Sequence, residues 1–275
     1  MKKKDILGGY NMAVAHIEYF SAALWRPINI KAIIPTDAAT EGNKHFERPA
    51  KLFILLHGYA GASGDWLYSS KINEYAAKYN LCVILPSGEN SFYLDGEATG
   101  RKYARFVGQE LPDFAKRSFG LKCEREDIFI GGLSMGGYGA LHTALAYPET
   151  FGAAIGLSSA LIHGAVEQME PGTDNGVANY EYYELMFGKK GSSDERAGNL
   201  EAIVRKLKAE KKQFPRIYMA CGTEDFLYER NKAFEAFLSE EQVEHTFMQS
   251  PGVHDFVFWN QYLEPSIRWF LKEEE

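Results

Sequence analysis

The amino-acid sequence predicts an α/β fold: a mostly parallel central sheet with helices on both faces. Three observations carry that expectation. Short apolar runs such as Lys51 to Leu56 and Leu81 to Leu85 have strand length and are continuous rather than alternating, as in strands buried on both sides. Longer segments with helical spacing separate most of them, and Pro or Gly punctuates the junctions. The strand-helix alternation persists to the end of the chain, as right-handed parallel βαβ units require.

Taken in order, Ala13 to Ser21 alternates and is rich in β-formers, and Ile28 to Ile34 does so again after Pro27, which predicts a leading antiparallel pair at the sheet edge. Lys51 to Leu56 is a buried strand ending at His57-Gly58. A helical stretch around Ser70 to Tyr79 precedes the strand Leu81 to Leu85, which Pro86 stops. Arg101 to Phe119 has helical spacing that Pro112 is expected to interrupt. There follow a strand (Asp127 to Gly131), a helix (Met135 to Tyr147, stopped by Pro148) and a strand (Ala153 to Leu157). The last elements are a strand (Ile217 to Ala220), a helix (Arg230 to Leu238), a strand (His245 to Gln249) and a helix (Phe256 to Leu271). Between Ser159 and Asn199 the period is lost and Gly, Asp, Asn and Glu accumulate, the look of a lid, a binding loop or a decorated surface excursion. Residues 1–11 read as a loose extension and residues 12–275 as one domain carrying that irregular insertion.

Composition bounds the function. With 45% hydrophobic and 24% charged residues, the chain has enough apolar content for a sizeable core. Its net charge of -7, with both signs mixed along the sequence, offers no basic stripe for a phosphate backbone, so no nucleic-acid partner is expected. Cys82, Cys123 and Cys221 are an odd number without CxxC spacing, which implies neither a disulfide framework nor a zinc site. Lys2, Lys3 and Lys4 are followed by Gly8 to Asn11 instead of an apolar stretch, and no apolar run nears bilayer length. The expectation is a cytoplasmic protein without a membrane partner. A homo-oligomer is left open.

The chemistry gathers at Gly132-Leu133-Ser134-Met135-Gly136, a G-x-S-x-G turn between a strand and a helix. A nucleophile on so sharp a turn leaves no room for flanking side chains, hence Gly132 and Gly136. The helix that follows aims its positive N-terminal end at developing negative charge, worth about 1 kcal/mol. Ser134 needs a base to take its proton, and that base needs an acid to hold its tautomer. In elbows of this kind both follow the serine along the chain. His142 lies on the elbow helix, His163 in the insertion and His245 at a strand start. His254 stands in the Pro/Gly-containing loop 250–255 before the last helix, where a positioned base belongs. The acid is expected after the strand Ile217 to Ala220. Asp225 is placed there with Glu224 as its nearest rival, and Asp174 and Asp194 read as solvated. For the oxyanion, one N–H donor is expected from Met135 and the other from Tyr59 in the loop His57-Gly58-Tyr59-Ala60-Gly61. His57 reads as a residue that holds this loop.

These stretches, with Asp65-Trp66, Cys221 to Asp225, Gly252 to Asp255 and Trp259, resemble the α/β-hydrolase esterases that include esterase D, S-formylglutathione hydrolases, tributyrin-type acetyl esterases and feruloyl esterases. The likeness spans roughly Met12 to Leu271. It implies a Ser134, Asp225, His254 triad, Tyr59 and Met135 as oxyanion donors, and substrate contacts at Gly58 and Trp66. It implies no metal and no cofactor, and a small ester as substrate, either a short-chain acyl ester or an acetylated or hydroxycinnamoylated sugar. Tyr59-Ala60-Gly61-Ala62 replaces the cysteine-bearing loop usual in the formylglutathione branch, which weighs against a thioesterase or acyltransferase. A non-catalytic carbohydrate-binding or scaffold protein on the same fold is the alternative of another class.

Overall fold

The continuous apolar runs become the middle of one eight-stranded sheet in a computed structural model that describes residues 12–36, 38, 40–189 and 198–273. The strands are β1 (Ala13–Ser21), β2 (Arg26–Ile34), β3 (Lys51–Leu56), β4 (Leu81–Pro86), β5 (Ile128–Leu133), β6 (Ala153–Leu157), β7 (Arg216–Gly222) and β8 (His245–Ser250). Their spatial order is β1-β2-β4-β3-β5-β6-β7-β8. β1 and β2 form the expected antiparallel pair, but only β1 is an edge, because β2 also pairs antiparallel with β4. From β4 to β8 every neighbouring pair is parallel. The burial patterns follow: β1 alternates, while β4, β5 and β6 are buried along their whole length.

Helices cover both faces. Ten can be named: α1 (Asp65–Ser69), α2 (Ile72–Tyr79), α3 (Tyr103–Arg105), α4 (Leu111–Phe119), α5 (Met135–Ala146), α6 (His163–Val166), α7 (Tyr180–Phe187), α8 (Leu200–Ala209), α9 (Tyr228–Glu240) and α10 (Phe256–Leu271). One core joins Leu52, Ile54 and Ile130 to α4, α5, α8 and α9, and the other joins Phe53, Leu55 and Phe129 to α1, α2 and α10. The second includes a stack of Phe53 on Phe129 at 4.1 Å and Phe129 on Phe270 at 3.7 Å between ring centroids.

The helices depart from the expectations at particular places. Pro112 does not break its helix: it falls at the start of α4, directly after a π-helical stretch, Phe106–Glu110. There the Leu111 N–H bonds Phe106 O five residues back, and the wider turn accommodates a ring that lacks an N–H. The helix expected around Ser70 to Tyr79 is α2, and a short helix that was not expected, α1, precedes it; between them the Ser70 hydroxyl donates to Trp66 O and accepts from Ile72 N–H. The insertion is not irregular throughout, since α6 and α7 lie within it; Asn179 caps α7 by accepting from Tyr182 N–H. Residues 1–11, 190–197 and Asp194 lie outside the described residues. Among the described residues, no helix is long and apolar enough to cross a membrane.

This topology positions a site. The chain runs from β3 outward to β4 and then returns to the other side of β3 as β5. The order therefore reverses between β3 and β5, and in open α/β sheets such a crevice beyond the carboxyl ends is where ligands bind. The loop after β3 and the turn after β5 are the two glycine-rich stretches singled out above.

Candidate active site

Ser134 sits at φ 54° and ψ -119°, a left-handed conformation that costs a non-glycine residue of order 1–3 kcal/mol. Its surroundings over-determine it. The Ser134 N–H donates to Leu157 O at 2.9 Å, and Ser134 O accepts from Tyr138 N–H and Ala160 N–H at 3.0 and 2.9 Å. A β-carbon on Gly132 would stand 2.4 Å from Gly136 O, and one on Gly136 would stand 2.5 Å from both Leu56 O and His57 O. Glycine at both positions is thus a steric requirement. α5 begins at Met135 with no side-chain cap and runs buried almost throughout, so its first N–H groups open toward the elbow.

Across the crevice, the loop after β3 lies against the elbow: a β-carbon on Gly58 would be 3.5 Å from Ser134 Cβ. Tyr59 follows Gly58 in this loop. His57 holds the loop. The Gly88 N–H donates to its Nε2 at 2.8 Å, so Nδ1 carries the proton and donates to Gly58 O at 2.7 Å. Burial lowers the His57 pKa, which favours this neutral tautomer. Further contacts fix the turn: Gly61 N–H to Gly58 O at 3.1 Å, Ala62 N–H to Asp65 Oδ2 at 3.2 Å and Ala60 N–H to Asn90 Oδ1 at 2.8 Å.

Trp66 is placed otherwise than expected. It is 1% exposed, its indole donates to Leu56 O at 2.8 Å, and its ring packs edge-on against Phe256. It belongs to the core beneath the loop, and its role is packing rather than substrate contact. The insertion returns over the same loop, with Tyr182 of α7 meeting Tyr59 edge-on at 5.7 Å and donating its hydroxyl to Asn90 O at 2.6 Å.

The residues expected as acid and base, Asp225 and His254, stand in the turns after β7 and β8. His254 Nδ1 lies 2.8 Å from Asp225 Oδ2, and Leu227 N–H donates to Asp225 Oδ1 at 2.8 Å. Burial would raise the Asp225 carboxyl, but hydrogen bonds from His254, Leu227 N–H and the Ser158 hydroxyl outweigh it and hold the group below its ordinary range. With Nδ1–H directed at a carboxylate, Nε2 is left as the acceptor. Glu224, the rival acid, is engaged elsewhere: its carboxylate accepts from Gly252 N–H and from Thr223 Oγ1. It fastens the histidine loop to the acid turn, as does the close passage of Gly222 against Gly252, where a β-carbon would stand 2.2 Å from Gly252 O. Asp255 then caps α10 through Phe258 N–H at 3.0 Å, which sets His254 at the helix entrance.

The other candidates fall away from this crevice. His142 is buried on α5, His163 opens α6 and His245 bonds Val243 O at the start of β8. Asp174 is exposed in the insertion. All three cysteines are free and buried, and among the described residues no group of three or more His, Cys, Asp or Glu is arranged to hold a metal. Trp259, one of the residues that carry the resemblance, meets His254 with its ring edge at 5.0 Å and donates its indole N–H to Ser158 Oγ at 3.0 Å, a buried residue directly after β6 that had no sequence signal.

A family described as "Putative esterase" matches residues 21–270. An acetyl esterase of Caldicellulosiruptor saccharolyticus is 41% identical over 266 residues, covering 95% of this chain and 99% of that one. A fluorophosphonate-binding serine hydrolase of Staphylococcus aureus superposes with a TM-score of 0.81 at 29% identity, over 94% of this chain and 98% of its own. An S-formylglutathione hydrolase from the same organism superposes with a TM-score of 0.79 at 30% identity, over 95% and 99%. The chain belongs to this esterase family and is a carboxylic ester hydrolase with the α/β-hydrolase fold.

Proposed function

We propose that this protein is a serine carboxylesterase for short-chain acyl esters, in which Ser134, His254 and Asp225 act as a triad. The observation that carries the reading is the hydrogen bond between His254 and Asp225, set at the same carboxyl edge of the sheet as a serine held in strained backbone. Ser134 Oγ attacks the ester carbonyl as His254 Nε2 takes its proton. The tetrahedral oxyanion accepts hydrogen bonds from the Tyr59 and Met135 N–H groups. His254 passes the proton to the departing alcohol, and a water molecule repeats the sequence on the acyl-enzyme with Asp225 ionised throughout. The acetyl esterase at 41% identity favours an acetyl group as the acyl part, with an acylated sugar as one natural form of the ester. α7 of the insertion packs on Tyr59, so it borders the space into which substrate enters.

The test is Ser134→Ala assayed on p-nitrophenyl acetate. Triad residues act as a unit, so turnover falls by about 10⁴-fold or more while thermal unfolding stays cooperative. A small loss would place the nucleophile elsewhere and leave a non-catalytic reading of the elbow standing.

A thioesterase reading has one observation in its favour, the likeness to an S-formylglutathione hydrolase over 95% of the chain. Comparing kcat/KM on p-nitrophenyl acetate and on S-formylglutathione separates the two, and the ester reading requires the first to be the better substrate.

A further inference from the structure

The turns that carry Asp225 and His254 expose apolar side chains that belong to neither core. Phe226, directly after the acid, is 74% exposed, and its ring is centred 4.6 Å from the His254 imidazole at an interplanar angle of 50°. Val253 and Val257 flank the histidine along the chain and are 50% and 78% exposed. Their neighbours have structural tasks: Leu227 and Trp259 are buried, Glu224 accepts from Gly252 N–H, and Asp255 accepts from Phe258 N–H. One exposed apolar side chain is ordinary on a protein surface. Three on the two turns that present a single imidazole make an apolar rim that a ligand gains by covering.

The reaction decides which part of a substrate meets this rim. His254 Nε2 hands its proton to the departing alcohol, so the alcohol oxygen has to come within about 3.2 Å of Nε2. The carbonyl oxygen is held at the same moment by the Tyr59 and Met135 N–H groups. Of the two carbon-bearing arms of the ester, the alcohol is therefore the one that leads past the imidazole. We propose that Phe226, with Val253 and Val257, forms the subsite for the leaving alcohol and makes the enzyme prefer esters whose alcohol is apolar beside the ester oxygen. This rests on the triad reading above and adds a specificity-determining residue that takes no part in proton transfer. The three side chains carry no hydrogen-bonding group, so they select by apolar area and not by polarity. The selection acts in acylation alone, because the alcohol has departed before water attacks the acyl-enzyme. It is therefore read in kcat/KM.

The test is kcat/KM of the full chain, Phe226→Ala, Phe226→Leu and Val257→Ser on two series of esters. Ethyl, butyl and hexyl acetate vary the alcohol at nearly constant leaving-group acidity, and ethyl acetate, butyrate and hexanoate vary the acyl group. Each methylene laid against an apolar rim is worth about two- to fourfold, so the natural chain should prefer hexyl to ethyl acetate by about tenfold or more. Phe226→Ala lowers that ratio by about fivefold, Val257→Ser by about twofold, and Phe226→Leu by less than Phe226→Ala. The hexanoate-to-acetate ratio moves by less than about twofold in every variant. Val257→Ser carries the test whether or not Phe226→Ala folds. An absent hexyl preference in the natural chain overturns the proposal. So does an equal loss on all esters, which leaves Phe226 a packing partner of His254, or a change in the acyl ratio in place of the alcohol ratio. If Ser134→Ala still hydrolyses hexyl acetate at the natural rate, the triad reading fails and takes this inference with it. An inactive Ser134→Ala beside an unmoved alcohol ratio in Phe226→Ala and Val257→Ser removes this inference alone.

Discussion

The elbow and the histidine loop solve one problem, the placing of a reactive side chain, by different physical means. The elbow is set by backbone exclusion: Gly132 is held against the carbonyl of Gly136, and Gly136 against those of Leu56 and His57, and all of it is buried except the serine. The histidine loop is set by side chains that reach across the chain, with Asp225 on His254, Glu224 on Gly252 and Trp259 against His254. It is also the more open of the two, with Phe226, Val253 and Val257 exposed around it. Damage to the elbow is therefore expected to appear as lost stability, and damage to the loop as lost rate.

The largest effect belongs to the loop. Asp225→Asn leaves the shape of the turn but removes the charge that selects the histidine tautomer, and kcat is expected to fall by about 10⁴-fold while the chain stays folded. The same variant reports on pH. The Asp225 carboxyl is held below its ordinary 3.8, so its contribution to stability is full above that value and is lost as pH falls through the folded one. The stability gap between the natural chain and Asp225→Asn should accordingly close in the acid window below about pH 4, read by urea unfolding at stepped pH. A gap constant down to pH 2 would mean that the carboxylate is not held as described.

Next in size is Gly136→Ala, which drives a β-carbon to 2.5 Å from two carbonyl oxygens. Backbone has to move, at a cost of roughly 3 kcal/mol or more in unfolding free energy. A fully stable variant that is merely slow would contradict the division drawn between the two regions. Smallest is Glu224→Ala, which removes the clasp on Gly252 N–H. It should lower kcat by about tenfold at a cost of about 1 kcal/mol, since the glycine contact still holds the loops together. A loss as deep as that of Asp225→Asn would make Glu224 the acid.

The difference between the regions also explains what could be read in the chain. Lys51–Leu56, Ala153–Leu157 and Phe256–Leu271 stand at their expected bounds because continuous apolar runs and a strong helical period leave little choice. The elbow was equally legible, since steric exclusion writes glycine into the first and last of five consecutive positions, Gly132 and Gly136. Choosing Asp225 over Glu224 needed the path of the β8 loop, which no local spacing contains. Trp66 was misplaced because an indole beside a glycine-rich loop looks alike in sequence whether it faces substrate or the core. α7 was missed because its aromatic run, YEYYELMF, has weak helical propensity and is held by packing on Tyr59 and Phe92. Ser158 gave no signal, since its contacts with Ala220 of β7 and Trp259 of α10 join segments far apart in the chain.

The central claim is that His254 activates Ser134, and covalent labelling tests it most directly. Diisopropyl fluorophosphate, a general probe of activated serines, is expected to leave one adduct per chain, mapped by peptide mass to Ser134, and His254→Ala should abolish it at the same exposure. An adduct on any other serine, or undiminished labelling of Ser134 in His254→Ala, would contradict the account.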